Sequence, residues 1–225
     1  MTQKTPEPLP WDETLRQAFA QPREAARQFA QGTRTPAEAW ALLEQLHSAA
    51  DEAVQRWPRR TEHACAPGCF FCCFLWTDAM PLEVLRIADH LHCTASPDDL
   101  AEVRRRLRER LSAPLGDRPC GLLTVEGRCA VYAIRPMTCR GFHSFSKSAC
   151  QASFKGRTSG PTAALDESLH MLMAAMQEGI ERGLAEHGFE SGWVELNEAL
   201  LHALDLPTPL ISWLSREPIF PWLSP

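Results

Sequence analysis

Apolar residues recur at steps of three and four over most of this chain, and that period predicts amphipathic helices. Leu15, Ala18, Phe19, Ala26 and Phe29 form a weak stripe across residues 11–31, interrupted by Pro22. Trp40, Leu43, Leu46, Ala50, Val54 and Trp57 form a stronger stripe that ends before Pro58. Its start is marked by Thr35 as N-cap, Pro36 in the first helical position and Glu38 three residues after the cap, a capping box. A third helix is expected from Met80 or Pro81 to His92, with Leu82, Leu85, Ile87, Ala88 and Leu91 inside and Cys93 at its edge as a core thiol. Ser96-Pro97-Asp98-Asp99 starts a fourth, whose stripe is Leu100, Val103, Leu107 and Leu111.

Regular patterning fades from Ala113 to Gly160. Leu122 to Val125 suits a short strand, and Ala130 to Ile134 a single helical turn before Pro136. A stretch this long and irregular is unusual inside a compact domain unless something else fixes it, and metal ligation would do so. Helices resume at Pro161. Leu165, Leu169, Leu172, Met176, Ile180 and Leu184 make one stripe, with Gly188 as C-cap and Met171, Met173 and Met176 as gap-filling core. Val194 to Leu204 is a further helix, stopped by Pro207 and Pro209, and the apolar tail from Leu210 to Pro225 docks as a cover on the core. The fold expected is mainly α: a helical domain with an irregular, metal-organised cysteine-rich loop region packed between helices. Residues 1–34 are an arm, loose over 1–10, with the weak helix; 35–160 are the cysteine-cluster metal-binding core; 161–225 are helices packed on the same domain.

Composition narrows the class. The chain has 225 residues, 44% of them hydrophobic, enough to bury a core without disulfide support. A net charge of −5 supplies no basic field for nucleic acid. Arg104, Arg105, Arg106, Arg108 and Arg110 read as a solvated face balanced by Glu102 and Glu109. No apolar run approaches the length of a membrane span, and no export signal is visible, so a cytoplasmic, reducing location is expected.

In that setting the cysteines change the picture. Cys65-Ala66-Pro67-Gly68-Cys69-Phe70-Phe71-Cys72-Cys73 places four thiols within nine residues, with Pro67-Gly68 forcing a turn. Clustered thiols in a reducing compartment read as metal ligands rather than structural disulfides. Soft anionic sulfur suits iron, zinc and copper, and the spacing of Cys69 and Cys72 lets one turn of chain aim both at one centre. Cys120, Cys129, Cys139 and Cys150 lie in the irregular region and can close over the first group. The eight make two four-ligand sites, or one cluster with spares. An iron–sulfur cluster, of the four-iron, four-sulfur kind, is the first choice and zinc the rival.

The order C-x3-C-x2-C-C, then Cys120, then the run from Gly127 through Cys129, Tyr132, Arg135-Pro136 and Cys139-Arg140 to Phe142, resembles the YkgJ-like CxxxCxxCC cysteine-cluster family. Its members are bacterial proteins described as zinc- or iron-chelating. The resemblance spans residues 60 to 150 or so, with Phe142-His143-Ser144 to Cys150 resembling a subset. It implies Cys65, Cys69, Cys72, Cys73, Cys120, Cys129, Cys139 and Cys150 as metal ligands. Gly121 departs from relatives that carry Pro after the Cys, a change expected to act on loop stiffness and not on ligation. Arg135 and Arg140 either donate to cluster sulfur or bind loop carbonyls and acids. Tyr132 is expected to pack beside the site with its hydroxyl bonded, and His143 to ligate or to sit just behind the ligands.

Three functions compete. One is an iron–sulfur protein that carries electrons to a redox partner protein. A second is a zinc protein, structural or metal-handling. A third is an enzyme. Cys65, Cys69 and Cys72 match the spacing of radical S-adenosylmethionine enzymes, although no strand–helix repeat or glycine-rich strand accompanies them. A flagellin lysine methylase resembles the family in its cysteine block, which adds cluster-dependent methyl transfer. No hydrolase or nucleotide-binding signature is present, and no catalytic residue is assigned.

Overall fold

The computed structural model describes residues 11–57, 62–66, 68–156 and 164–223. The expectations for the arm at 1–10, for Pro58, for Pro67 and for a helix start at Pro161 lie outside these residues. The described chain is mainly helical. No helix among the described residues is long and apolar enough to cross a membrane.

Two long helices frame the molecule. α1 (Trp11–Gln31) runs unbroken through Pro22. An interior proline loses one backbone bond and disfavours helix by about 3 kcal/mol. Here packing outweighs it, because Ala26, Phe29 and Ala30 are buried and α1 lies along α7 (Glu167–Ala185) for much of its length. The two backbones meet at glycines. A Cβ on Gly179 would lie 2.2 Å from the Phe19 carbonyl oxygen, and one on Gly183 2.5 Å from that of Arg23. α7 is capped by Asp166, whose Oδ1 accepts the Leu169 amide at 3.0 Å.

The other starts follow their sequence signals. α2 (Pro36–Arg56) carries the complete Thr35–Glu38 capping box. Its buried face is Ala39, Leu42, Leu43, Leu46, His47 and Ala50. α3 (Pro81–Thr94) is buried along most of its length, but Cys93 is exposed and is not the core thiol expected. α4 (Pro97–Ser112) starts where Ser96 Oγ accepts the Asp99 amide at 3.2 Å. Val103 and Leu107 are buried, whereas Leu111 is exposed. The inward position after Leu107 falls three residues on, at Arg110, which is buried and donates to the Leu75 carbonyl at 3.2 Å. Arg105 pairs with Glu102 and Glu109, and Arg104 with Asp205, so that part of the run is balanced by acids, but buried Arg110 does not belong to the solvated face expected.

The stretch from 113 to 160 holds more structure than its sequence announces. Leu123 bridges Cys129, a 3-10 turn spans Tyr132–Ile134, and two helices follow, α5 (Met137–Gly141) and α6 (Lys147–Gly156). α5 is too short to show a period, and α6 buries too few apolar residues to form a stripe. A two-residue ladder, β1 (Asp78–Ala79) antiparallel to β2 (Val194–Glu195), joins the cysteine segment to α8 (Leu196–Asp205). Val194 and Glu195 are therefore strand rather than the first residues of a helix. α9 (Pro209–Leu214) and the tail after it cover the core through Trp213, Ile219 and Phe220, with the Glu190 carboxylate accepting the Ile219 and Phe220 amides at 3.0 and 2.8 Å. Met173 and Met176 are core, but Met171 faces solvent.

Candidate metal centre

The eight thiols sit on five pieces of chain. Cys65 lies in the extended segment 62–66. A turn follows in which the Cys69 amide donates to the Ala66 carbonyl at 3.0 Å, with Gly68 at φ +82°, a conformation glycine adopts without strain. Cys72 and Cys73 occupy a 3-10 turn over Phe71–Phe74. The Cys73 carbonyl accepts the Cys120 amide at 2.7 Å, which stitches the first group of cysteines to the second. Cys129 is on the far side of the bridge to Leu123, Cys139 is on α5 and Cys150 on α6. α6 also lays Phe154 against the 3-10 turn, 4.5 Å from the Phe74 ring centroid and 6.0 Å from that of Phe71.

Backbone amides are aimed at the sulfurs. The Cys65 thiol is met by the Ser144 amide, Cys72 by its own amide and that of Cys73, Cys120 by Leu122, and Cys129 by Val131. Each such bond favours the thiolate. Burial opposes them. It pushes the Cys120 thiol up to about 12, raises Cys65 and Cys129, and holds Cys139 well above the ordinary thiol value. Adjacent Cys72 and Cys73 share a hydrogen bond between their side chains, so Cys72 is the readier thiolate and Cys73 keeps its proton. The remaining influences map the neighbours. Cys72, Cys120 and Cys129 all bear on Cys139, and Cys69, Cys72 and Cys150 all bear on Cys65.

Buried polar residues from the helices hold these pieces. Glu83 on α3 is fully buried, and its Oε1 accepts the Met137 amide at 2.7 Å, at the start of α5. Asn197 on α8 is 1% exposed; its Oδ1 accepts the Gly121 amide at 2.8 Å, and its Nδ2 donates to Glu195 Oε1 at 2.7 Å. Proline at 121 would have no N–H to give, so this departure from the family pattern supplies an anchor beside Cys120. Arg140, 1% exposed, donates to the carbonyls of Arg135 and Ala133 and to Asp51 Oδ2 at 2.6 Å. Of its two readings, the structure shows the one with loop carbonyls and an acid. Arg135 stands near Cys129, where its charge favours the thiolate, and it lies 4.1 Å from the Tyr132 ring centroid. Tyr132 itself is 64% exposed and is not the packed ring expected, because its 3-10 turn points it outward onto the Arg135 guanidinium. His143 stacks on His63, with ring centroids 4.6 Å apart.

Glu83, Asn197, Asp51 and His63 carry no signal in the spacing of the cysteines, being brought in from other helices and segments. Only Glu83 had a readable role, as the third residue of a helix that begins with Pro81. Among the described residues no three thiols, imidazoles or carboxylates stand close enough together to hold a metal ion as they are. The donor chemistry nevertheless fits a soft metal: the set is sulfur throughout, shielded by phenylalanine and supplied with amide donors.

Residues 64–156 match the model of the CxxCxxCC family, described as a putative zinc- or iron-chelating domain. The span contains every cysteine of the chain, and the cysteine-cluster family expected from the sequence is the one matched. No curated protein and no solved structure matches the chain.

Proposed function

We propose that the chain binds metal through thiols drawn from Cys65, Cys69, Cys72, Cys73, Cys120, Cys129, Cys139 and Cys150, and that four of them hold an iron–sulfur cluster of the four-iron, four-sulfur kind. The observation that carries the reading is the 2.7 Å bond from the Cys120 amide to the Cys73 carbonyl, which brings the second group of thiols against the first. Amide-to-sulfur bonds stabilise thiolate ligands and tune a cluster's potential. A bound cluster would supply one-electron transfer, and a redox partner protein would be its counterpart.

The chain's own residues do the rest. Burial keeps Cys120 and Cys139 protonated until metal displaces the protons, so loading releases protons and strengthens as pH rises. Loading also requires the thiol-bearing segments to draw together. Cys72 and Cys73 lie on a 3-10 turn, while Cys139 and Cys150 ride on the short helices α5 and α6, and Glu83, Asn197 and Arg140 tie these pieces to the longer helices. Phe70, Phe71, Phe74 and Phe154 pack on one another around the 3-10 turn that carries Cys72 and Cys73.

Metal and acid-labile sulfide analysis of protein purified without oxygen tests the proposal. Iron and sulfide in near-equal amounts, with a broad visible band that is lost in Cys72→Ser, are expected. Zinc without sulfide would replace the iron–sulfur reading with a zinc site on the same thiols, and neither metal would remove both.

A further inference from the structure

A buried polar pair outside the thiol set ties the cysteine segment to the frame of the molecule. His63 and Asp166 are 103 residues apart in sequence, yet Nε2 and Oδ2 are 2.9 Å apart. Both side chains are less than one-tenth exposed. The His63 ring packs, tilted, against those of His143 at 4.6 Å and Phe145 at 5.2 Å between centroids. Asp166 uses its other oxygen to cap α7 through the Leu169 amide, and its own amide donates to the His143 carbonyl at 2.8 Å.

The strands of this knot run straight to two thiols. Ala64, between His63 and Cys65, donates to the Ser144 carbonyl at 2.8 Å, and the Ser144 amide meets the Cys65 sulfur. Ser144 bridges Leu165, and the Phe145 amide donates to the Ala164 carbonyl at 2.7 Å. The Ser146 amide donates to Ser144 Oγ at 3.2 Å, and the Ser146 carbonyl accepts the Cys150 amide at 3.2 Å. Three segments, 63–65, 143–146 and 164–166, are thus locked where Cys65 leaves one and Cys150 follows another.

We propose that His63 and Asp166 are positioning residues that hold Cys65 and Cys150 in place for metal binding. This rests on the metal-binding reading above. Residues 62–66 belong to no helix or ladder, so the direction of Cys65 is set by the bonds to Ser144 and by the His63–Asp166 pair that seats Ser144's segment beside them. A histidine oriented by a carboxylate has one preferred ring position, and the segment attached to it inherits that position. Without the pair, Cys65 keeps only the bonds of its segment to Ser144, and the 143–146 segment that leads to Cys150 loses its seat on His63.

The test uses His63→Ala, His63→Gln and Asp166→Asn in the full chain. Gln places an amide nitrogen near the position of Nε2. Asn keeps an oxygen to cap α7 but turns a donor toward His63. The first readout is the alkylation rate of each cysteine in metal-free protein, followed by mass spectrometry with exposed Cys93 as internal reference. Cys65 and Cys150 should react several-fold faster in His63→Ala and Asp166→Asn, Cys139 at its wild-type rate, and His63→Gln close to wild type. The second readout is cobalt(II) titration, where the same two variants should bind about tenfold more weakly, with altered thiolate-to-cobalt bands. Wild-type labelling in both variants overturns the proposal, and so does changed labelling with unchanged cobalt affinity. Should His63→Ala unfold, seen as fast reaction at all thiols, Asp166→Asn carries the test. Wild-type protein that takes up no cobalt defeats the metal reading and this proposal with it. A wild type that binds beside indistinguishable variants defeats this proposal alone.

Discussion

Glu83 Oε1 accepts the Met137 amide at 2.7 Å, so a fully buried carboxylate on α3 caps the helix that carries Cys139. Its other oxygen accepts the Met80 amide at 3.0 Å, at the start of its own helix. One side chain thereby satisfies the first turns of two helices, and a negative charge suits both.

Glu83→Ala should therefore be severe. It leaves two buried amides unpaired, at about 1–3 kcal/mol each, and a loss of roughly 3 kcal/mol is expected in urea unfolding. Glu83→Gln, which keeps one acceptor, should lose less. Equal stability of Ala and wild type would show that water replaces the carboxylate.

The seam between α1 and α7 predicts a second outcome. Alanine in place of a helical glycine normally gains about 1 kcal/mol. At Gly183 the new methyl would meet the Arg23 carbonyl oxygen and the Ala26 Cβ, at 2.5 and 2.7 Å. Gly183→Ala should instead destabilise by roughly 1–3 kcal/mol, the usual range for overpacking, as read from the midpoint of urea unfolding. Gly179→Ala, at 2.2 Å from backbone, should be at least as damaging.

Stability should also fall as pH rises through neutrality. Burial pushes the Glu181 carboxyl up to about 8, with the charges of Glu83, Glu178 and Glu190 adding to it and the Gly192 amide opposing. Its Oε1 has no hydrogen-bond partner. The folded state holds this proton more tightly than the unfolded chain does. The stabilisation is therefore fully present below the ordinary value of 4.5 and lost as pH climbs toward 8, on the order of 4 kcal/mol in all. Glu181→Gln should flatten that slope and be the more stable protein at pH 8. Urea unfolding at pH 5 and pH 8 measures both.

Metal removal should act locally. Chelation is expected to raise amide hydrogen exchange across 113–160 while α1, α2 and α7 stay protected. Unchanged exchange in that stretch would mean that Glu83, Asn197 and Arg140 suffice to hold it. Cys93→Ser should leave metal content untouched, since Cys93 is exposed on α3 and borders none of the other thiols' influences.

The helices were legible where the chain writes its own boundaries. Thr35-Pro36 and Ser96-Pro97 each announce a cap, and both caps form as expected. The cysteine set was legible because crowding of thiols is a local property of sequence. What escaped was long-range. Nothing near Gly121 points to Asn197, and nothing near His63 points to Asp166, because such pairs depend on how helices pack rather than on spacing. Pro22 misled in the opposite direction: a local rule against helix yielded to burial of Ala26 and Phe29 against α7. Leu111 failed as core for a related reason, since a stripe drawn from apolar residues alone ignores a buried Arg110 that takes the inward place, and Met171 falls on the outward side between buried Leu169 and Leu172.

The glycine seam has one more consequence. Where Gly179 and Gly183 touch the Phe19 and Arg23 carbonyls, the spacing of α1 and α7 is set by main-chain dimensions, with no rotamer between them to adjust. Asp166 stands at the head of α7, so it is a datum point that cannot drift. The thiols are mounted on shorter pieces, a 3-10 turn, irregular chain and the two short helices α5 and α6. When the sulfurs converge, all of the travel must occur on their side of the His63–Asp166 joint.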